Sequence, residues 1–179
     1  RDVLNALGTY PGDPGPLGRE CSGIISAVGE GVEDLKIGDD VLAIAPGSFG
    51  NYVTTNAHFV VRKPYDLSFE EAAGIPITFL TVYYGLFHLA KLNPGEKVLI
   101  HAASGGVGLA AIQLVKWAGA EIFATASPGK WEFLKSMGIR HIMNSRSLYF
   151  ADELMTLTDG KGVDIVLNSL AGEFIPKSL

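Results

Sequence analysis

Apolar positions along this chain fall into two textures. Up to Pro64 they come as short runs between dense glycine and proline, as at Gly8, Pro11, Gly12, Pro14, Gly15, Pro16 and Gly18. Gly23–Gly29, Asp40–Ile44, Gly50–Thr55 and His58–Arg62 read as short strands, so residues 1–66 predict a compact, irregular β domain. Arg1–Asn5 is expected to begin in mid-element, with earlier strands lying outside the chain. After a junction at Lys63-Pro64 the pattern changes. Ser68 followed by Glu70 and Glu71 predicts a capped helix through Ala73. A second helix is expected over 77–92, stopped by Asn93-Pro94-Gly95. Strand 97–101, helix 106–117, strand 121–125, helix 129–137, strand 139–143, helix 148–158 and strand 163–168 then alternate. That alternation implies βαβ units and a parallel sheet over residues 67–179, with further strands expected beyond Leu179.

Composition narrows the function classes. The net charge is −5 and no basic run occurs, which argues against a nucleic-acid partner. The longest apolar stretch, Ile75–Leu92, is interrupted by Pro76, Thr78, Thr81, Gly85 and His88, which argues against a membrane span. No signal peptide is recognisable and the first residue is Arg1, so the chain is expected to be an excised piece. A single cysteine, Cys21, allows neither a disulfide framework nor a cysteine-rich zinc lobe, and points to a reducing, cytoplasmic setting.

The stretch with the most chemistry is Lys97–Ser127, which reads strand, glycine turn, helix, strand. Its turn, Ala103-Ser104-Gly105-Gly106-Val107-Gly108, is a G-x-G-x-x-G pattern with alanine at the first glycine. In such a turn the middle glycine admits a pyrophosphate against the backbone, and the last admits close helix–strand packing. The anion would rest on the helix N-terminus, where free N–H groups and the dipole favour negative charge. A turn that serves packing alone remains the alternative.

Seven stretches make the chain resemble a family. Gly18-Arg19-Glu20-Cys21-Ser22-Gly23, Val28-Gly29-Glu30-Gly31-Val32 and Gly38-Asp39-Asp40-Val41 resemble the GroES-like domain of the medium-chain dehydrogenase/reductase superfamily. Arg1–Gly8, Ala102–Gly108, Ala124–Trp131 and Val166–Glu173 are similar to the enoyl reductase domains of modular polyketide synthases and animal fatty acid synthase. The resemblance implies an α/β chain: a GroES-like β domain, N-terminally incomplete, over 1–66 and a Rossmann doubly wound parallel sheet, C-terminally incomplete, over 67–179. It also implies NADPH as cofactor, an acyl carrier protein-tethered enoyl chain as substrate, and neighbouring synthase domains as partners.

Several residues acquire expected roles from that resemblance. In an NAD site an acid binds the ribose diol about 20 residues after the turn. Here Ser127 stands there, leaving room for a 2′-phosphate, with Lys130 and Arg146 as the cations that would neutralise it; solvated surface charges are the alternative. Zinc-dependent relatives carry a histidine where this chain has Arg19, so no metal is expected. Hydride transfer to C3 of a 2-enoyl thioester and protonation at C2 follow as the implied reaction. Asn5, Thr81, Asn168, Ser169 and Leu170 are candidates for positioning substrate and nicotinamide. Tyr10 is the candidate proton donor, or a loop aromatic packed on Pro11. The four histidines are expected to be packing or surface residues. A free-standing NADPH:quinone reductase, a homologue that closes the enolate into a ring, and a non-catalytic dinucleotide-binding module are the competing readings.

Overall fold

A computed structural model describes residues 2–179. Its chain forms two compact units, one ending at Ile77 and one running from Thr78 to Leu179.

The first unit opens with a short helix α1 (Asp2–Ala6), where the middle of an element of unstated type was expected. Its sheet has the order β1 (Glu20–Ile24), β2 (Asp40–Ile44), β3 (Val60–Arg62), all antiparallel. The expected strand at 23–29 therefore lies too far along the chain. Cys21 opposes Ala43, and the pairing ends just past Ile24, where Ile25 exchanges backbone hydrogen bonds with Asp39 and Gly38. Residues 50–55 form no strand either. Their alternation is too brief to find a partner, and the segment is tied down by the Thr55 hydroxyl donating to the Ile44 carbonyl (2.8 Å). Ahead of β3, residues Ala57–Phe59 make a 3₁₀ turn capped by Asn56.

The junction at Lys63 is a buried cation site. The Lys63 ammonium donates to the Pro64 and Leu67 carbonyls (3.1 and 2.5 Å) and lies over the Phe69 ring. Helix α2 (Phe69–Ala73) follows, with the reciprocal capping box read from sequence: the Ser68 hydroxyl accepts from Glu71 N–H, and the Glu71 carboxylate accepts from Ser68 N–H. The Ser22 hydroxyl donates to the Phe69 carbonyl, and the Glu20 carboxylate accepts from Ile77 N–H (2.8 Å). The first compact unit thus runs beyond the junction expected at residue 66 and includes α2, which packs on β1.

The predicted helix over 77–92 is two pieces. Helix α3 (Pro76–Tyr83) begins with proline at its first position, where the missing N–H costs nothing. Residues Tyr84–Leu89 then widen into a π-helical turn, with Tyr83 stacked on Phe87 and Tyr84 on His88. Lys91, at φ 57°, ends the segment.

The second unit is built on a parallel sheet of order β6 (His141–Asn144), β5 (Glu121–Ala126), β4 (Lys97–Ile100), β7 (Ile165–Leu167). Its strands are apolar almost throughout because both faces are buried. Val98, Ile100, Ile122, Ala124 and Ala126 pack with α4 (Gly106–Trp117) on one face; Leu99, Phe123 and Met143 pack with α6 (Phe150–Leu157) on the other. Helix α4 matches its predicted span. The helix expected over 129–137 is a 3₁₀ turn (Pro128–Lys130) followed by α5 (Trp131–Ser136). The last strand is shorter than expected, and a further short helix, α7 (Phe174–Lys177), follows it.

The capping box gives a direct test. Ser68→Ala removes the acceptor for Glu71 N–H and is expected to cost about 0.5–2 kcal/mol. Chemical denaturation should show the lower midpoint with an unchanged slope.

Candidate functional site

Strand order makes β4 and β7 neighbours although β5 and β6 intervene in sequence, so the chain reverses direction across the sheet at that pair. The carboxyl ends of β4 and β7 therefore flank a topological switch point, the place where open α/β sheets bind ligands.

The turn leaving β4 is shaped by backbone contact. His101 N–H donates to the Leu167 carbonyl (3.1 Å), extending the β4–β7 pairing. Ala102 then takes φ 49°, a left-handed conformation rare for alanine. Ala103, fully buried where the pattern has its first glycine, donates its N–H to the Thr125 carbonyl (2.9 Å). Gly105 caps α4 without any side-chain hydrogen bond. A Cβ at Gly108 would lie 2.6 Å from Ala102 O, Ala103 C and Ala103 Cα, all backbone atoms that cannot swing away. The glycine is thus required for α4 to start this close to the turn. The first N–H groups of α4, at Gly106, Val107 and Gly108, have no intrahelical partner. Together with the dipole they form an anion cradle, and no acid stands in the first turn to compete.

Behind the turn lies a polar row that sequence reasoning missed. Leu99 and Phe123 pair in register on one sheet face. Two residues on, the same face carries His101 and Thr125, both buried. His101 Nδ1 meets the Thr125 hydroxyl (2.9 Å), Nε2 meets the Ser178 hydroxyl (2.9 Å), and the Phe150 ring packs edge-on. Ala102 N–H donates to the Thr125 oxygen (3.3 Å), and the Ser178 hydroxyl donates to the Phe174 carbonyl (2.6 Å). Donor bookkeeping then gives one direction: Thr125 O–H donates to Nδ1, and Nε2–H donates to Ser178. His101 is neutral in this arrangement, and burial pushes its pKa below the ordinary histidine value. The row ties the strained Ala102 to β5. Histidine and threonine at these positions carry no signal until strand register puts them on one face.

The end of β5 places the other expected residues. Ser127 is half-buried, Lys130 lies in the 3₁₀ turn, and Arg146 follows β6, which pairs with β5 through Ala126 and Asn144. Lys130 and Arg146 are exposed, and among the described residues neither side chain has a hydrogen-bond or ion-pair partner. They are uncommitted cations on neighbouring strand ends. Ser104 and Val107 lie in the turn, half-buried. Asn168, just past β7, spends its amide locally: Oδ1 accepts from Leu170 N–H (2.8 Å), which shapes Asn168-Ser169-Leu170 into a turn. Thr81 is exposed on α3.

Asn5 and Tyr10 belong to the first unit. The Asn5 amide donates to the Pro14 carbonyl (3.0 Å), while its buried Oδ1 has no partner among the described residues. Tyr10 is half-buried just after α1. Cys21 is half-buried in β1, with its thiol pKa raised by burial and then by Glu20. Among the described residues no three His, Cys, Asp or Glu side chains gather as metal ligands.

Comparisons with known proteins agree with this geometry. Residues 1–65 match the alcohol dehydrogenase GroES-like domain, and residues 106–179 match the zinc-binding dehydrogenase family. A phenolphthiocerol synthesis polyketide synthase type I of Mycobacterium marinum is 48% identical over the whole chain, which spans only 9% of that protein. Among solved structures, the CurK enoyl reductase is 56% identical with a TM-score of 0.94, covering 99% of this chain and 57% of its own. The CurF cyclopropanase of curacin A biosynthesis is 46% identical with a TM-score of 0.92, covering 99% and 58%. A mycobacterial protein solved with NADPH is 28% identical with a TM-score of 0.87, covering 99% and 57%. The chain thus spans a little over half of these solved chains.

Two outcomes are expected. Gly108→Ala forces α4 away from the turn and should cost about 1–3 kcal/mol of overpacking, with loss of dinucleotide binding by calorimetry. His101 has a depressed folded-state pKa, so the unfolded chain protonates first as pH drops. Its contribution to stability is whole above about pH 6.5 and is lost as pH falls towards the folded-state value. The thermal midpoint should therefore fall more steeply between neutral and mildly acidic pH than that of His101→Gln.

Proposed function

Because the chain belongs to the medium-chain dehydrogenase/reductase superfamily, in the enoyl reductase type carried by modular polyketide synthases, we propose that it serves NADPH-dependent reduction of the C2=C3 bond of a 2-enoyl thioester borne on acyl carrier protein. The observation that carries the cofactor choice is the pair of uncommitted cations, Lys130 and Arg146, beside Ser127 where an NAD site would have an acid.

In this reading the backbone of Ala103–Gly108 holds the pyrophosphate, with the N–H groups of Gly106, Val107 and Gly108 directed at it. Ser127 leaves room for the 2′-phosphate, and Lys130 and Arg146 neutralise it. Asn168, Ser169 and Leu170, at the carboxyl end of β7, border the nicotinamide end. NADPH, when bound, supplies the hydride that the side chains themselves cannot. As the C3–H bond forms, the C2=C3 electron pair would shift to join C1 and C2 while the carbonyl pair moves onto the thioester oxygen; C2 of that enolate then takes a proton and the carbonyl re-forms, giving the saturated thioester. Asn5 and Thr81 position the acyl group, and Tyr10 gives the proton to C2. The work of the protein is to fix C3 in place and to stabilise the developing enolate charge.

The reaction is proposed without a metal: a single cysteine, with Arg19 where zinc-dependent relatives carry a histidine, supports that reading. The setting is a synthase polypeptide with neighbouring domains, working in the cytoplasm; no helix among the described residues is long and apolar enough to cross a membrane.

Ring closure is a second reading, supported by the similarity to the CurF cyclopropanase. There the enolate carbon displaces an internal leaving group instead of taking a proton. Quinone reduction and a non-catalytic dinucleotide-binding role are the remaining alternatives. A crotonyl thioester should be reduced by the full chain in preference to a quinone, and the product mass separates saturation from ring closure. NADPH bound without thioester-dependent oxidation would favour the non-catalytic role. A Lys130→Glu, Arg146→Glu variant should lose NADPH affinity by about tenfold or more, as expected for charge-assisted contacts, with NADH affinity little changed. Equal loss of both would remove the 2′-phosphate assignment.

A further inference from the structure

The carbonyl of Ala126 joins the two loops that carry the uncommitted cations. Ala126 is the last residue of β5, and it is almost fully buried. Its oxygen accepts the backbone N–H of Ser145 (3.0 Å), the residue before Arg146. It also accepts the indole N–H of Trp131 (3.0 Å), the residue after Lys130. Arg146 N–H is held in turn by Asn144 Oδ1 (3.0 Å).

Seen from Trp131, the segment Ser127–Lys130 is a closed loop. It leaves Ala126, passes through the exposed Pro128 and Gly129, and returns to the same carbonyl through the indole. A second clasp lies inside it, from Lys130 N–H to the Ser127 carbonyl (2.9 Å). The ring of Trp131 is half-buried against the core cluster that includes Ala126 and Leu134, so it is fixed by packing as well as by its hydrogen bond. Without that anchor, an exposed loop containing glycine has few contacts to hold its shape. The Ala126 oxygen would keep Ser145 as donor, so losing the indole N–H orphans no buried acceptor.

We propose that Trp131 is a positioning residue that sets the preference for a 2′-phosphorylated cofactor: its indole N–H fixes the Ser127–Lys130 loop on the carbonyl that also fixes Arg146, and so holds both cations around one phosphate. This rests on the NADPH reading above. It adds a residue that touches neither the phosphate nor the substrate, and it assigns that residue to discrimination rather than to overall binding.

The experiment is Trp131→Phe, which keeps an aromatic ring and removes the donor. Dissociation constants for NADPH and NADH are measured by calorimetry for the unmodified protein and the variant. NADPH affinity is expected to fall by about tenfold, the scale of one weakened charge-assisted contact, while NADH affinity stays within about twofold. A parallel readout needs no variant to fold. In the unmodified protein the indole N–H resonance of Trp131 should shift when 2′,5′-ADP is added and stay in place with 5′-AMP. Equal losses for both dinucleotides, an unchanged ratio, or an indole signal indifferent to the 2′-phosphate would overturn the role of Trp131. If the unmodified protein itself fails to prefer NADPH, the cofactor reading falls first and takes this proposal with it.

Discussion

Helix α4 begins within van der Waals reach of the turn that precedes it, and the second unit is arranged around that approach. At Gly108 there is room for a hydrogen atom but not for a methyl group, because the Ala102 and Ala103 backbone fills the space 2.6 Å from where a Cβ would stand. The contact brings the unpaired N–H groups of the helix to the carboxyl end of β4. It requires Ala102 to hold a left-handed conformation, a strain on the order of 1–2 kcal/mol. The surrounding hydrogen bonds offset that strain: Ala103 N–H to the Thr125 carbonyl, Gly105 N–H to the Ala102 carbonyl, and Ala102 N–H to the Thr125 hydroxyl.

β5 consequently holds the site at two levels. Its lower residues, Ile122 and Phe123, fill the two apolar cores on opposite faces of the sheet. Its last residues turn polar in function while staying buried. Thr125 anchors the turn through its side chain and carbonyl, and Ala126 anchors the loops that carry Lys130 and Arg146 through its carbonyl. One strand end therefore sets the distance between the N–H groups that open α4 and the two cations. His101 completes the arrangement as a neutral relay of hydrogen bonds between Thr125 and Ser178, which closes α7 over the same sheet face.

Much of this was legible in the sequence, and the limits are physical. Helix α4 could be read to its end residues because the glycine turn marks its start and the apolar spacing runs unbroken to Trp117. The capping box at Ser68 and Glu71 is a local device and was equally plain. β1 was displaced because Ile24-Ile25 carries the β-branched signal, while the true register is set by pairing Glu20–Ile24 with β2, a long-range choice. The π-helical turn at Tyr84–Leu89 has the same composition as a helix, so periodicity cannot reveal it. Ser127 stands out by its spacing from the turn, whereas Lys130 and Arg146 are singled out by their places after the second and third strands of the parallel sheet and by the family resemblance. His101, Thr125 and the anchoring part played by Trp131 depend on which residues share a face or a carbonyl, and that is known only once the strands are paired.

In the function proposed, the glycine turn and the end of β5 form one site for a dinucleotide carrying a 2′-phosphate. Every residue assigned to the adenosine side lies in the second unit, so that site can be probed without substrate or nicotinamide. Calorimetric titration with 2′-phospho-ADP-ribose and with ADP-ribose does this most directly. The phosphorylated compound is expected to bind tighter by about tenfold or more, and the difference to shrink as salt rises. Equal affinity for the two compounds, or binding of neither, would contradict it.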